Sequence, residues 1–315
     1  MKDRISKPGL YPDLPIDVYH ADCCDGPSLS SSGIRTIISE CPAKFWATSY
    51  LNPKRFPEKA SGALDFGRAA HSLALGEPEF ARHFAVSPYD DFRSKEAKEW
   101  RDAQTKTVVR AEDMETILAM CRALQADPIA SQVLSLGAPE VSAIWRERGI
   151  WLKARPDWLS APDRWVGEYK TTISAHPDRF PRDAYNRGYH VQAAMVLRGL
   201  HATTGNAFPG VVLIAQEKDP PYLCAAYAVP PELIEDGNAR IDAALETFRH
   251  CWDTGDWYGY GGTPFDLEAP KWARLETRDE RAEHRPGGSA STGAREPGAE
   301  VGEGLEDPSE YLAAG

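Results

Sequence analysis

The chemistry in this sequence is concentrated between Asp157 and Lys170. Glu168 and Lys170 stand two apart in Gly167-Glu168-Tyr169-Lys170-Thr171-Thr172, and a strand puts such residues on one face. Arg155-Pro156-Asp157 lies just upstream, and Ser160-Ala161-Pro162-Asp163 between them has the composition of a hairpin turn. That turn brings Asp157 level with about residue 166 and beside Glu168. Two carboxylates about 4 Å apart repel by roughly 4 kcal/mol at an effective dielectric near 20, so the pair requires a proton or a cation. Hard carboxylate oxygens suit Mg²⁺ or Mn²⁺. Such an ion lowers the pKa of bound water and neutralises charge on a phosphate undergoing displacement. Lys170 can then orient the attacking water or stabilise the pentavalent phosphorus. This is the equipment of phosphodiester hydrolysis. The bland alternative is a surface hairpin with a salt bridge.

Other residues bear on the choice. A second Glu-x-Lys, Glu96-Ala97-Lys98, lies in a polar helical run with no Pro-Asp before it and reads as a solvated face. His71 follows Gly67 by one helical turn in Phe66-Gly67-Arg68-Ala69-Ala70-His71, where the missing side chain leaves room for a sheet or a ligand. It is a nitrogen ligand or a structural histidine. Gln192, in Gly188-Tyr189-His190-Val191-Gln192, either holds a phosphate or base edge or is a polar helix residue. Glu140 begins the strand before the site, as an added carboxylate or an exposed strand-end acid. Arg93, Lys95 and Lys98 are phosphate contacts or part of a solvated helix. Ser32 and Arg35 stand at a helix start, whose free N–H groups can bind a 5′-end phosphate or simply be capped.

These residues need a scaffold, and apolar spacing supplies its outline. A helix opens at Leu29-Ser30-Ser31-Ser32, with Ile34, Ile37, Ile38 and Cys41 on one face, and Pro42 interrupts it. Further helices are expected over 61–76, 96–106, 112–126, 183–200 and 231–252. Period-two alternation marks strands around 141–145, 150–159, 165–171, 210–215 and 223–229. The order is that of an α/β or α+β domain with a mixed sheet. Residues 1–27, rich in Pro, Asp and Gly, are expected to be an irregular arm, 28–270 the folded domain, and 271–315 a disordered acidic tail.

Composition narrows the class. The 315 residues carry a net charge of −11, of which the ten acids and four bases from Glu276 onward account for −6. The remaining −5 is compatible with a locally basic groove for nucleic acid. No apolar run reaches a membrane span, and no apolar stretch follows Met-Lys-Asp-Arg as in a secretory signal, so the expectation is a cytoplasmic protein with no membrane partner. The six cysteines form no CxxC pair and are expected to be reduced thiols, with Cys23-Cys24 at most a metal half-site.

Leu29 to Ser32, Cys41-Pro42-Ala43-Lys44-Phe45-Trp46, Gly67 to His71, Glu140, Arg155-Pro156-Asp157, Glu168 to Thr172 and Tyr189 to Gln192 occur in an order that resembles the PD-(D/E)XK nuclease superfamily, in particular the exodeoxyribonuclease VIII (RecE-type) nuclease domain. The resemblance spans about residues 15–255. It implies a restriction-endonuclease-like core, a mixed central β-sheet flanked by helices, and Mg²⁺-dependent degradation of linear double-stranded DNA, 5′ to 3′. It places His71, Asp157, Glu168 and the Tyr169 carbonyl as metal ligands, Lys170 as the catalytic lysine, and Glu140 and Gln192 as accessory active-site residues. It also implies a homo-oligomeric ring on double-stranded DNA ends and a phage-type single-strand annealing (RecT-like) partner. Glu168 stands where the relatives often have Asp, and Val196 where they often have Tyr. Iron–sulfur relatives need three cysteines after the lysine, whereas only Cys224 and Cys251 follow Lys170, so no cluster is expected. A single-strand, flap or endonucleolytic enzyme, or an inactive DNA-binding module of the same fold, are the alternatives.

Overall fold

The computed structural model describes residues 4–56, 62–134, 137–160 and 165–268. Its first half contains β1 (Gly9–Tyr11), α1 (Ile16–His20), β2 (Ser28–Ser30), α2 (Ser31–Ser39), α3 (Pro42–Thr48), α4 (Gly62–Leu75), α5 (Glu77–His83), β3 (Phe84–Val86), α6 (Lys95–Asp102), β4 (Thr107–Val109), α7 (Ala111–Ala126) and α8 (Pro128–Val133). The second half contains β5 (Gly137–Pro139), β6 (Ser142–Glu147), β7 (Ile150–Ala154), β8 (Trp158–Ser160), β9 (Val166–Thr172), α9 (Phe180–Asn186), α10 (Tyr189–Thr204), β10 (Val211–Glu217), β11 (Cys224–Ala228) and α11 (Pro231–Thr254). These elements all lie in one unit, Met1–Gly261. A second unit begins at Gly262, and its described residues, 262–268, are irregular and exposed.

The α/β expectation holds, with mixed sheets flanked by helices, but the strands of the described residues divide among three sheets. A five-stranded sheet has the order β11-β10-β9-β8-β5, and a four-stranded sheet the order β1-β6-β7-β2. The small third sheet pairs β3 with β4. β9 and β10 are parallel, with Glu168 opposite Leu213, so the chain must cross over between them, and α9 and α10 make that crossover. The expected strand over 150–159 is two strands in different sheets. Pro156 has no N–H to give a ladder, so the chain leaves β7 after Ala154 and joins the other sheet at Trp158. The short segment between them carries Asp157.

Two other expectations are corrected. Residues 9–11 and 16–20, placed in an irregular arm, form β1, which pairs with β6, and α1. The helix expected over 183–200 breaks after Asn186, because Gly188 takes a left-handed φ of 67° and starts α10 in a new direction. The turn residues 161–163 and the tail 271–315 lie outside the described residues.

α10 is the central helix. Val191, Ala193, Ala194, Met195, Val196 and Leu200 are buried in the main core with Trp145, Leu152, Val166, Leu213 and the α11 residues Ile241, Leu245 and Phe248. Gly237 of α11 sits against the His190 carbonyl, where a Cβ would come within 2.7 Å, so this helix pair approaches closer than alanine would allow. A second apolar cluster, including Ala69, Ala70, Phe80, Phe84, Ile117 and Met120, seats α4 on α7.

Candidate active site

Strand alternation on β9 does what its spacing predicts. Lys170 Nζ donates to Glu168 Oε2 at 2.8 Å on the shared face. The β8–β9 register sets Trp158 opposite Gly167, and Asp157 lies just beyond the paired residues. There Asp157 Oδ2 accepts the Tyr169 backbone N–H at 2.7 Å and Lys170 Nζ at 3.3 Å. Its other oxygen, Oδ1, is 2.9 Å from Nε2 of His71 on α4. Gly67 faces Thr171, but a Cβ there would be 3.5 Å from Oγ1, an ordinary contact, so the glycine is not needed for the approach. From α10, Gln192 Nε2 donates to Glu168 Oε2 at 2.6 Å, and the Tyr189 ring centre lies 5.5 Å from Lys170 Nζ.

Glu140 is at the edge of this cluster. It precedes β6 in a bend with φ 51°, its N–H donates to the Asp157 carbonyl at 3.1 Å, and its Oε2 is 3.7 Å from Arg155 Nη1. Tyr169 turns its side chain to the opposite face, where its hydroxyl donates to Gln216 Oε1 at 2.5 Å.

Burial makes these charges interdependent. Glu168 is fully buried, and burial first, then the neighbouring Asp157 carboxylate, push its pKa up to about 7 against the pull of Lys170. Burial would also raise Asp157, but the charges of His71 and Lys170 hold it far below the usual carboxylate range. For Lys170 burial opposes the charge, and Asp157 and Glu168 more than offset it, so the ammonium persists well above neutrality. Burial likewise opposes a charged His71, yet Asp157, with a smaller contribution from Glu140, raises its pKa.

The donors fit a hard divalent cation. Glu168 Oε1 is buried without a hydrogen-bond partner among the described residues, an arrangement that costs about 1–3 kcal/mol unless something satisfies it. Carboxylate oxygens are the ligands such an ion takes, and the imidazole nitrogen of His71 is a softer donor more typical of transition metals. They are not preassembled: among the described residues no three His, Cys, Asp or Glu side chains already form a metal cage. Here His71 and Lys170 occupy the Asp157 oxygens instead.

Of the expected DNA contacts, Gln192 belongs to this cluster, and Ser32, Arg35, Arg93 and Lys95 make their hydrogen bonds and ion pairs outside it. The cap of α2 is Ser30, whose Oγ accepts the Gly33 N–H at 3.4 Å and meets Ser32 Oγ at 2.9 Å, while Ser32 itself is exposed. Arg35 Nη1 donates to the Arg187 carbonyl at 2.7 Å, and its buried Nε has no hydrogen-bond partner among the described residues. It lines a cavity of about 190 Å³ with Tyr185, His190 and Arg240, among others. Arg93 and Lys95 are 92% and 84% exposed and pair with Asp91 and Glu99 of their own segment. Lys98 is also exposed, on α6. Tyr189 was not among the sequence candidates, although its position three before Gln192 puts both on one helix face.

The family described as PDDEXK-like domain of unknown function (DUF3799) matches residues 30–264, about three-quarters of the chain. The chain belongs to this PDDEXK-like family. Its core is therefore that of the PD-(D/E)XK superfamily, a class that generally uses divalent metals. A protein of Eubacterium rectale described as a candidate exonuclease has a similar fold, with a TM-score of 0.52 and 15% identity over 71% of this chain and 82% of that one. The alkaline exonuclease LHK-Exo of Laribacter hongkongensis aligns at 15% identity over 59% of this chain and 90% of that one, with a TM-score of 0.24, too low to carry an argument. No curated protein matches the chain significantly. No helix among the described residues is long and apolar enough to cross a membrane.

Proposed function

We propose that the chain is an Mg²⁺-dependent exodeoxyribonuclease that degrades linear double-stranded DNA, 5′ to 3′, in homologous recombination of phage or prophage type. The observation that carries the hydrolytic reading is the cluster of Asp157, Glu168, Lys170, His71 and Gln192 within hydrogen-bonding reach of one another in a PDDEXK-like core. The exonuclease description of the Eubacterium rectale neighbour supports the substrate class. Polarity, the oligomeric ring on DNA ends and the single-strand annealing partner rest on the resemblance of the motifs.

In this reading Asp157, Glu168 and His71, with the Tyr169 carbonyl, hold the ion. Bound there, Mg²⁺ (or Mn²⁺) would acidify a water and offset phosphate charge. Lys170 is a charged donor rather than a base, because its two carboxylate neighbours keep it protonated. It orients the attacking water or meets the charge that develops on the phosphate, the kind of fixed donor that acts strongly in a buried site. Gln192 holds Glu168 Oε2, leaving Oε1 for the ion. Asp157 is aimed by the Tyr169 amide.

The deciding experiment is digestion of a linear duplex labelled at either 5′ end or internally, with Mg²⁺ or EDTA, beside a closed circular duplex. Mg²⁺-dependent loss of the linear form alone, with label released from the 5′ ends first, is the expected result. Cutting of the circle would make it an endonuclease, and no cleavage with Mg²⁺ or Mn²⁺ would overturn the catalytic reading.

A further inference from the structure

β7 and the residue after it have two unlike faces, as strand alternation requires. Leu152 and Ala154 enter the main core. Trp151, Lys153 and Arg155 instead grip the N-terminal segment, which lies outside the family match that begins at residue 30. Trp151 Nε1 donates to Asp25 Oδ1 at 2.7 Å. Lys153, 2% exposed, donates to the carbonyls of Tyr19 at 2.6 Å and Ala21 at 3.2 Å, with its Nζ 5.2 Å from the Tyr19 ring centre. Arg155, its side chain 7% exposed, donates to the Leu14 carbonyl and lies 4.8 Å over the Tyr19 ring.

Arg155 also reaches the site. Its Nε donates to Ser142 Oγ at 2.8 Å and its Nη1 is 3.7 Å from Glu140 Oε2. Glu140 holds a left-handed φ that a non-glycine residue keeps only when its surroundings impose it, and its N–H is bonded to the carbonyl of Asp157. One guanidinium thus joins Leu14 and Tyr19, the bend carrying Glu140 and the segment carrying Asp157. A planar fork with five donors can make these contacts together, and a lysine cannot.

We propose that the N-terminal segment around Leu14–Tyr19 is a working part of the nuclease and that Arg155 is a positioning residue through which it sets Glu140 and Asp157. This rests on the nuclease reading. Removing the segment would take the Tyr19 and Ala21 carbonyls from Lys153 and the Leu14 carbonyl and Tyr19 ring from Arg155, while Ser142 and Glu140 stay with that guanidinium.

The test uses the full chain with Arg155→Lys, Tyr19→Leu and Tyr19→Phe. Turnover and KM are read on linear duplex, Mg²⁺ affinity by calorimetry on the protein alone, and folding by thermal melting. Arg155→Lys and Tyr19→Leu are expected to lower kcat by about ten- to a hundredfold, the upper end being the cost of misplacing a catalytic group by about 1 Å, with little change in KM. Both weaken Mg²⁺ binding, and Tyr19→Phe, which keeps the ring, matches the unaltered protein. The double variant falls short of the sum of the singles, as for residues sharing one network. Folded Arg155→Lys and Tyr19→Leu proteins with unchanged kcat and Mg²⁺ affinity, or with only a lowered melting temperature, would overturn the proposal. If Arg155→Lys does not fold, Tyr19→Leu carries the test alone. An inactive unaltered protein sinks the nuclease reading instead, and the calorimetry still decides the positioning role.

Discussion

Asp157 accepts the backbone N–H of Tyr169 at 2.7 Å, so the carboxylate that leads into one strand is aimed by the backbone of the next. An asparagine there can still accept this bond through its amide oxygen while losing the charge. Asp157→Asn is therefore expected to fold, with a lowered melting temperature because the charge paired with His71 and Lys170 is gone, and to lose cleavage by at least about a hundredfold, the scale of removing a group that acts on developing charge. Paired melting and single-turnover assays check this; retained cleavage would remove Asp157 from the ligand set.

Lys170→Ala removes the ammonium that pairs with both carboxylates. Cleavage should fall by about 10²–10³-fold, the loss seen for a preorganised donor, while affinity for duplex DNA changes little. Fluorescence anisotropy with labelled duplex in Ca²⁺ or EDTA separates the two. Comparable losses of binding and cleavage would mean that Lys170 holds DNA rather than acting on it.

Stability should depend on pH through Glu168. Its pKa is raised to about 7 in the fold from an ordinary 4.5, so between these values the folded chain binds a proton that the unfolded chain has released. Stability of the metal-free protein therefore falls as pH rises from 4.5 to 7, by about 3 kcal/mol at 1.36 kcal/mol per pKa unit. Asp157 acts in the opposite sense, but only at more acid pH, since its folded pKa is depressed. Urea denaturation in EDTA at pH 5 and pH 8 measures the slope. Glu168→Gln should reduce it, leaving the share of His71, whose raised pKa acts in the same sense around neutral pH, and, while abolishing metal binding, make the metal-free protein more stable at pH 8.

Tyr189 supports Lys170 by its ring face alone, at 5.5 Å. Tyr189→Phe should then be nearly silent and Tyr189→Leu should cost up to about tenfold in kcat, the size of a partly desolvated cation–π contact. Equal losses in both would assign the effect to the hydroxyl.

Much of this site was legible in local spacing. Glu168 and Lys170 share a face because a strand alternates, and no tertiary contact can change that without changing the register. Gln192 and Tyr189 share a helix face for the same kind of reason. The helix over 111–126 follows from its apolar stripe. The break at Pro156 was less legible: the proline is visible, but a proline at a strand end and one that hands the chain from one sheet to another look alike in sequence. β1 and α1 were missed because short elements bear no period long enough to read. β1 is held by its pairing with β6, and α1 by Lys153 and Arg155, all more than 130 residues away.

By itself, then, the sequence determined the local facts: which residues share a face, where proline and glycine interrupt, and which hard-ligand side chains are present in order. Only the tertiary structure decided that His71 on α4 reaches Asp157, that Gln192 and Lys170 take the same oxygen of Glu168, and that Glu168 is fully buried. Those outcomes depend on how α4 and α10 pack on the sheet, which comes from many weak apolar contacts summed over the core rather than from any one residue's neighbours. The chemistry depends on them in turn, because a carboxylate's charge is set by its burial and by the charges beside it.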